Sequence, residues 1–215
     1  MWIDALGAFA ITGFNVTLWL LTFTKRRLSP LAKAYFWWSF WITLWSFGYG
    51  VTLSGVFDYG PTLWWNKYCQ AMATLISPFF FRFGACVAGQ FDRYRKLYRF
   101  YLGLAVVNAL ALFLTPYYVK GLWSFGPYRY QPLGGPLYFV FTLLFFWCTV
   151  HSFLVAAQAY RNVTGRKRKQ VSLFLLGTGI AYSGGGTLFL QGYGIPFPTH
   201  GVYLILGYVI VIGYA

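Results

Sequence analysis

The chain of 215 residues is 59% hydrophobic and only 9% charged, against roughly 25% charged in a soluble domain, which excludes a surface lying mostly in water. Its net charge of +14 comes from 17 basic residues set against Asp4, Asp58 and Asp92. The basic residues cluster between apolar stretches and not along one face, so no nucleic-acid partner is expected. Aromatic residues make up 24% of the chain, with 10 Trp and 18 Tyr, types that gather at membrane–water interfaces.

Apolar stretches long enough to approach the ~20 residues of a membrane span follow one another along the chain. The first, about 6–24, ends at Lys25-Arg26-Arg27, with Lys33 beyond Pro30. It lacks a basic region ahead of it, so it reads as a real span and not a cleaved signal. The second covers about 35–53, and a short turn with Asp58, Gly60 and Pro61 leads to the third, about 63–87. A basic run, Asp92-Arg93-Tyr94-Arg95-Lys96 with Arg99, precedes the fourth, about 101–117. The longest polar-aromatic loop, about 118–135, carries Pro127 and Pro132. The fifth stretch, about 137–160, ends at Arg161 and Arg166-Lys167-Arg168-Lys169; the sixth covers about 171–190 and the seventh about 201–215. The fold class expected is therefore an all-α membrane domain, a single bundle of seven transmembrane helices.

Counting basic residues by side orients it. The connections after spans one, three and five hold four, four and five, thirteen of the 17. Only Lys67, Lys120 and Arg129 fall on the opposite side, and Arg82 lies within a span. Excess Lys and Arg marks cytoplasmic loops, so the N-terminus is expected outside and the C-terminus in the cytoplasm of a multi-pass protein of the inner (plasma) membrane. The seventh stretch, 15 residues, reaches only about 22 Å at 1.5 Å per residue, short of the ~30 Å hydrocarbon core. A further segment is expected to follow it on the cytoplasmic side.

Few residues could carry chemistry. Arg82, in Phe79-Phe80-Phe81-Arg82-Phe83, is costly in a membrane, from about 2.5 kcal/mol upward; it either snorkels to the headgroups from a nearby helix end or serves a ligand or polar network. His151, beside Thr149 and Ser152, reads as a neutral imidazole bonded to a neighbouring helix or, more sharply, as a proton or quinone-type contact. His200 lies at another depth, which argues against a shared haem. In span six, Gly177, Ala181 and Gly185 recur every four residues, a spacing that lets helices approach closely, and Gly184-Gly185-Gly186 could loosen the helix. Arg82, His151, Tyr182 and Gly185 form the candidate ligand-binding set. Trp38, Trp41 and Trp45 share one face of span two, a stripe that usually means packing or lipid contact. Cys69, Cys86 and Cys148 show no disulfide or metal spacing.

Several functions lose support. Span seven has no lysine for a retinal Schiff base, and no predicted span holds an acid for a proton relay or cation-coupled transport. No phosphate loop, nucleophile elbow or zinc-helix motif occurs, so the chain by itself is not expected to be an enzyme, and no cofactor or metal is called for.

Three local patterns carry a resemblance: Ser77-Pro78-Phe79-Phe80-Phe81 running to Ala88-Gly89, Gly135-Pro136-Leu137-Tyr138, and Arg166-Lys167-Arg168-Lys169-Gln170. A fourth, Pro196-Phe197-Pro198 through Gly207-Tyr208 to Gly213-Tyr214-Ala215, is similar to the end of the same module. Together they resemble the N-terminal seven-transmembrane sensor region of bacterial and archaeal histidine kinases. The resemblance implies a sensor that conveys helix rearrangement to a cytoplasmic output domain, with membrane lipids and a small apolar ligand as partners. Within these 215 residues there is no phosphoacceptor-histidine or ATP-binding segment, and the aromatic load exceeds what the family implies. An accessory subunit of a larger membrane complex, contacting lipid, pigment or quinone, is the alternative; a small-solute transporter is a third.

Overall fold

A computed structural model describes residues 2–23 and 29–213. Lys25-Arg26-Arg27 and Tyr214-Ala215 lie outside the described residues. The elements in order are α1 (Trp2–Phe23), α2 (Pro30–Ser54), α3 (Tyr59–Val87), α4 (Phe91–Leu114), β1 (Val119–Phe125), β2 (Tyr128–Gly134), α5 (Tyr138–Asn162), α6 (Gly165–Thr187), the single turn α7 (Phe189–Gly192) and α8 (Gly201–Gly213).

Five stretches among the described residues are helices long and apolar enough to cross a membrane: Trp2–Leu21, Tyr59–Val87, Phe91–Leu114, Tyr138–Asn162 and Gly165–Gly192. The long helix α2 is not among them, because its interior is rich in Trp, Tyr, Ser, Thr and Gly and carries few aliphatic residues. On α5, Phe139, Leu143, Trp147, Val150 and Leu154 are exposed at helical spacing. Such a stripe would be a liability in water and is an ordinary surface in lipid.

Two boundaries differ from expectation for a physical reason. Helix α1 starts at Trp2, so Asp4 sits inside a span; the acid is accepted because other segments hydrogen-bond it. Helices α4 and α6 start before their basic runs, so Arg93–Arg99 and Arg166–Lys169 ride on helix ends and not in loops. There Arg95 pairs with Asp92 at 2.6 Å, one turn away.

The stretch 118–135, expected as a loop, contains an antiparallel hairpin of β1 and β2. It turns at Gly126, whose φ is +51°, a backbone that suits glycine. The strands satisfy each other's backbone groups, which a loop at a membrane surface would have to leave to water.

Helix α3 is the hub, packed against α2, α4 and α5. Its interior Pro78 removes the donor that would bond the Thr74 carbonyl. The hydroxyl of the preceding Ser77 donates to that carbonyl instead, at 3.1 Å, so the break costs no orphan acceptor. Helix α8 lies between α6 and α1. At its start Gly184 and Gly201 bring the α6 and α8 backbones into contact so close that a Cβ on either would strike the other's carbonyl oxygen.

Candidate functional site

The bundle has two ends: a basic end, where α3 meets α4 and α5 meets α6, and a hairpin end. Beneath the hairpin α2, α3, α5, α6 and α8 leave a cavity of about 80 Å³. Trp38, Ile42, Trp45 and Tyr49 of α2 form one wall, and Asn66, Cys69, Gln70, Ala73 and Ile76 of α3 another. Tyr138 and Phe145 of α5, Ala181, Tyr182 and Gly185 of α6, and Ile205 and Tyr208 of α8 complete the sides. Pro132 of β2 and Phe189 and Gln191 of α7 cover the hairpin end.

These residues are brought together by aromatic packing. The Trp38 ring stacks on Phe83 at 5.2 Å and meets Tyr208 at 5.0 Å, tying α2 to α3 and α8. Trp45 stacks almost flat on Tyr49, one turn on, at 5.3 Å and 13°. Tyr138 is wedged by Gly134 and Gly192, where a Cβ would collide with its ring; glycine at those two positions lets the hairpin and α7 close over it.

The polar atoms on this wall divide into two groups. Asn66 donates to the Thr62 and Tyr130 carbonyls at 3.1 and 3.2 Å, Gln191 donates to the Phe197 carbonyl at 2.9 Å, and the Tyr208 hydroxyl donates to Asn15 on α1 at 3.0 Å. By contrast, Trp38 Nε1 and the hydroxyls of Tyr49, Tyr138 and Tyr182 are buried without a hydrogen-bond partner. Trp38 and Tyr182 face one another without forming a bond of good geometry. A buried donor left unpaired costs about 1–3 kcal/mol, so four among the residues around one cavity are a feature to be explained.

Of the candidate set, the structure brings Tyr182 and Gly185 to this cavity and leaves Arg82 and His151 outside it. Arg82 turns toward the first turns of α4, its guanidinium carbon 5.4 Å from the Phe91 ring centre and 5.7 Å from that of Tyr98, cation–π distances at the basic end. His151 belongs to a cluster between α4 and α5: its Nδ1 lies 2.9 Å from the Tyr101 hydroxyl, whose oxygen accepts from Trp147 Nε1 at 2.9 Å. Phe81 lies against its ring at 4.9 Å, so the imidazole joins α5 to α3 and α4. In the packing set, Ala181 and Gly177 are buried and Gly185 faces Ile205 of α8, while the tightest crossing falls one residue earlier, at Gly184.

Sequence reasoning missed the hairpin-end clasp. Asp4, with a side chain only 2% exposed, accepts from His200 Nδ1 at 3.0 Å, Thr199 Oγ1 at 2.7 Å and Tyr128 at 3.2 Å. Trp123 of β1 donates to the Gln191 carbonyl at 3.0 Å, so the hairpin is fastened to α1, α3 and α7 at once. Asp4, as an acid at the edge of an apolar stretch, was the available signal. Tyr49 and Tyr138 offered none, since an aromatic-rich chain hides which hydroxyls lack partners. Cys69 and Cys148 are buried and free, and among the described residues no group of three or more His, Cys, Asp or Glu is placed to hold a metal ion.

The family model described as the N-terminal 7TM region of histidine kinase matches residues 6–214, and the chain therefore belongs to that family. Compared with curated proteins and with solved structures, the chain matches none.

Proposed function

We propose that this member of the N-terminal 7TM region of histidine kinase family is a non-catalytic input module of the plasma membrane. It crosses the bilayer seven times, with the N-terminus and the hairpin outside and the basic helix ends in the cytoplasm. A ligand taken up from the bilayer or the outer face shifts helix packing, and α8 conveys the shift to a cytoplasmic output domain. A single observation carries this reading. The last helix contributes Ile205 and Tyr208 to the wall of the interior cavity, so whatever changes the cavity acts directly on the segment leading out of the domain. Such a switch needs two helix arrangements a few kcal/mol apart and a ligand that prefers one.

Two measurements test it. With the native cysteines replaced, single cysteines at Lys120 and Lys167 are expected to react with an impermeant maleimide from outside and only after permeabilisation, respectively; labelling on the same side overturns the topology. In the native polypeptide containing this region, one alanine inserted at the end of α8 turns everything downstream by about 100°. Phosphotransfer from ATP in membrane vesicles is expected to change several-fold, and an unchanged rate overturns coupling through α8.

A further inference from the structure

We infer that the cavity under the hairpin is the ligand site, and that it takes a small neutral molecule presenting hydrogen-bond acceptors. The inference rests on the input-module reading and adds to it the ligand's chemistry. Among its lining residues there is no Asp, Glu, Lys, Arg or His, and a charged ligand in such surroundings would lose its hydration with no counter-charge to replace it. A cation or a carboxylate is therefore rejected at the wall.

The wall asks for acceptors. An indole N–H donates only, and a phenol hydroxyl can give its proton to a carbonyl, an ether or another hydroxyl. Trp38, Tyr49 and Tyr138 are 1%, 6% and 2% exposed, and none has a partner for its polar atom. Their residues reach the cavity from α2 and α5, and Tyr182, equally unpartnered, reaches it from α6. A purely apolar guest would leave every one of these groups unpaired. A guest with an ether or carbonyl oxygen offers two acceptor sites, one each for two of these donors.

Size sets the rest. At about 80 Å³ the cavity is about half the volume of one that accommodates benzene, so the guest is a molecule of a handful of heavy atoms. Its occupancy would pair donors carried by α2 and α5, favouring the helix arrangement that holds those helices around it. That arrangement also fixes Tyr208, through which α8 meets the cavity.

The test uses the full chain in phosphatidylcholine nanodiscs, with its thermal unfolding midpoint measured against three isosteric probes of three heavy atoms: dimethyl ether, propane and dimethylammonium. Saturating dimethyl ether is expected to raise the midpoint by roughly 3 °C, and the other two are expected not to. The double variant Tyr49→Phe/Tyr138→Phe keeps both rings and is expected to fold with an unchanged or higher midpoint and to lose the response. An equal rise with propane, a rise that survives in the double variant, or no rise with any probe overturns the ligand class. The last of these outcomes assigns the cavity to water alone. If dimethyl ether binds but phosphotransfer by the native polypeptide ignores it, the site stands and the signalling role falls. If phosphotransfer responds to α8 insertion while no probe binds, the signalling role stands and the ligand class falls.

Discussion

Two polar clusters sit in the same apolar bundle and are treated in opposite ways. Around His151 every group shown has a partner: Trp147 donates to Tyr101 and Tyr101 meets His151, both at 2.9 Å. Around the cavity Trp38, Tyr49, Tyr138 and Tyr182 have none. Both clusters draw on Trp and Tyr, so those residue types alone do not set their difference. A polar group paired inside a membrane protein fastens helices together, whereas one left unpaired stores a cost that a guest can relieve. Tyr101 and His151 thus bind one helix to another, and under the proposed reading the cavity tyrosines are held ready for a guest.

Substitutions that remove a polar group should therefore divide by cluster, with stability read as the unfolding midpoint in mixed micelles. The largest loss is expected for Asp4→Ala, about 3 kcal/mol, since Thr199, Tyr128 and His200 all lose their acceptor; a variant as stable as the parent would break the idea that the clasp holds the hairpin end. Tyr101→Phe is expected to cost about 2 kcal/mol by stranding both Trp147 and His151. Ser77→Ala should cost about 1 kcal/mol, the value of restoring one carbonyl orphaned by a proline. At the small end, Tyr49→Phe and Tyr138→Phe are expected to fall between no change and a gain of about 1 kcal/mol, because an unpaired hydroxyl contributes only its desolvation cost. A loss above about 1 kcal/mol at either tyrosine would show that its hydroxyl is paired after all and erase the contrast between the clusters.

The helical, membrane-type character was readable because apolar stretches and basic clusters alternate along the whole chain. Arg82 was readable as a residue near a helix end, and the pairing of His151 with another helix followed from the cost of an unpaired imidazole in an apolar stretch. The hairpin was not readable. Pro127 and Pro132 and the aromatic run in Leu122-Trp123-Ser124-Phe125 look like an irregular loop until β1 and β2 are seen to pair. Asp4 lies just ahead of the first apolar stretch as read from the sequence, about 6–24, and its partners Thr199 and His200 lie nearly two hundred positions away. The cavity was half legible: Tyr182 and Gly185 pointed to α6, but Trp38 looked like packing, and Tyr49 and Tyr138 could not be distinguished from the other tyrosines.

The meeting of the two chain ends has a consequence for how the domain is made. Asp4 on α1 finds Thr199 and His200 only at the entrance to α8, and Asn15 finds Tyr208 one helix face further on. Synthesis runs from α1 toward α8, so Asp4 can meet Tyr128 once the hairpin is made, but Thr199, His200 and Tyr208 reach α1 only after α8 follows. A nascent chain stalled before residue 199 would keep α1 packed on α2 and leave the contacts between α1 and α8 unmade.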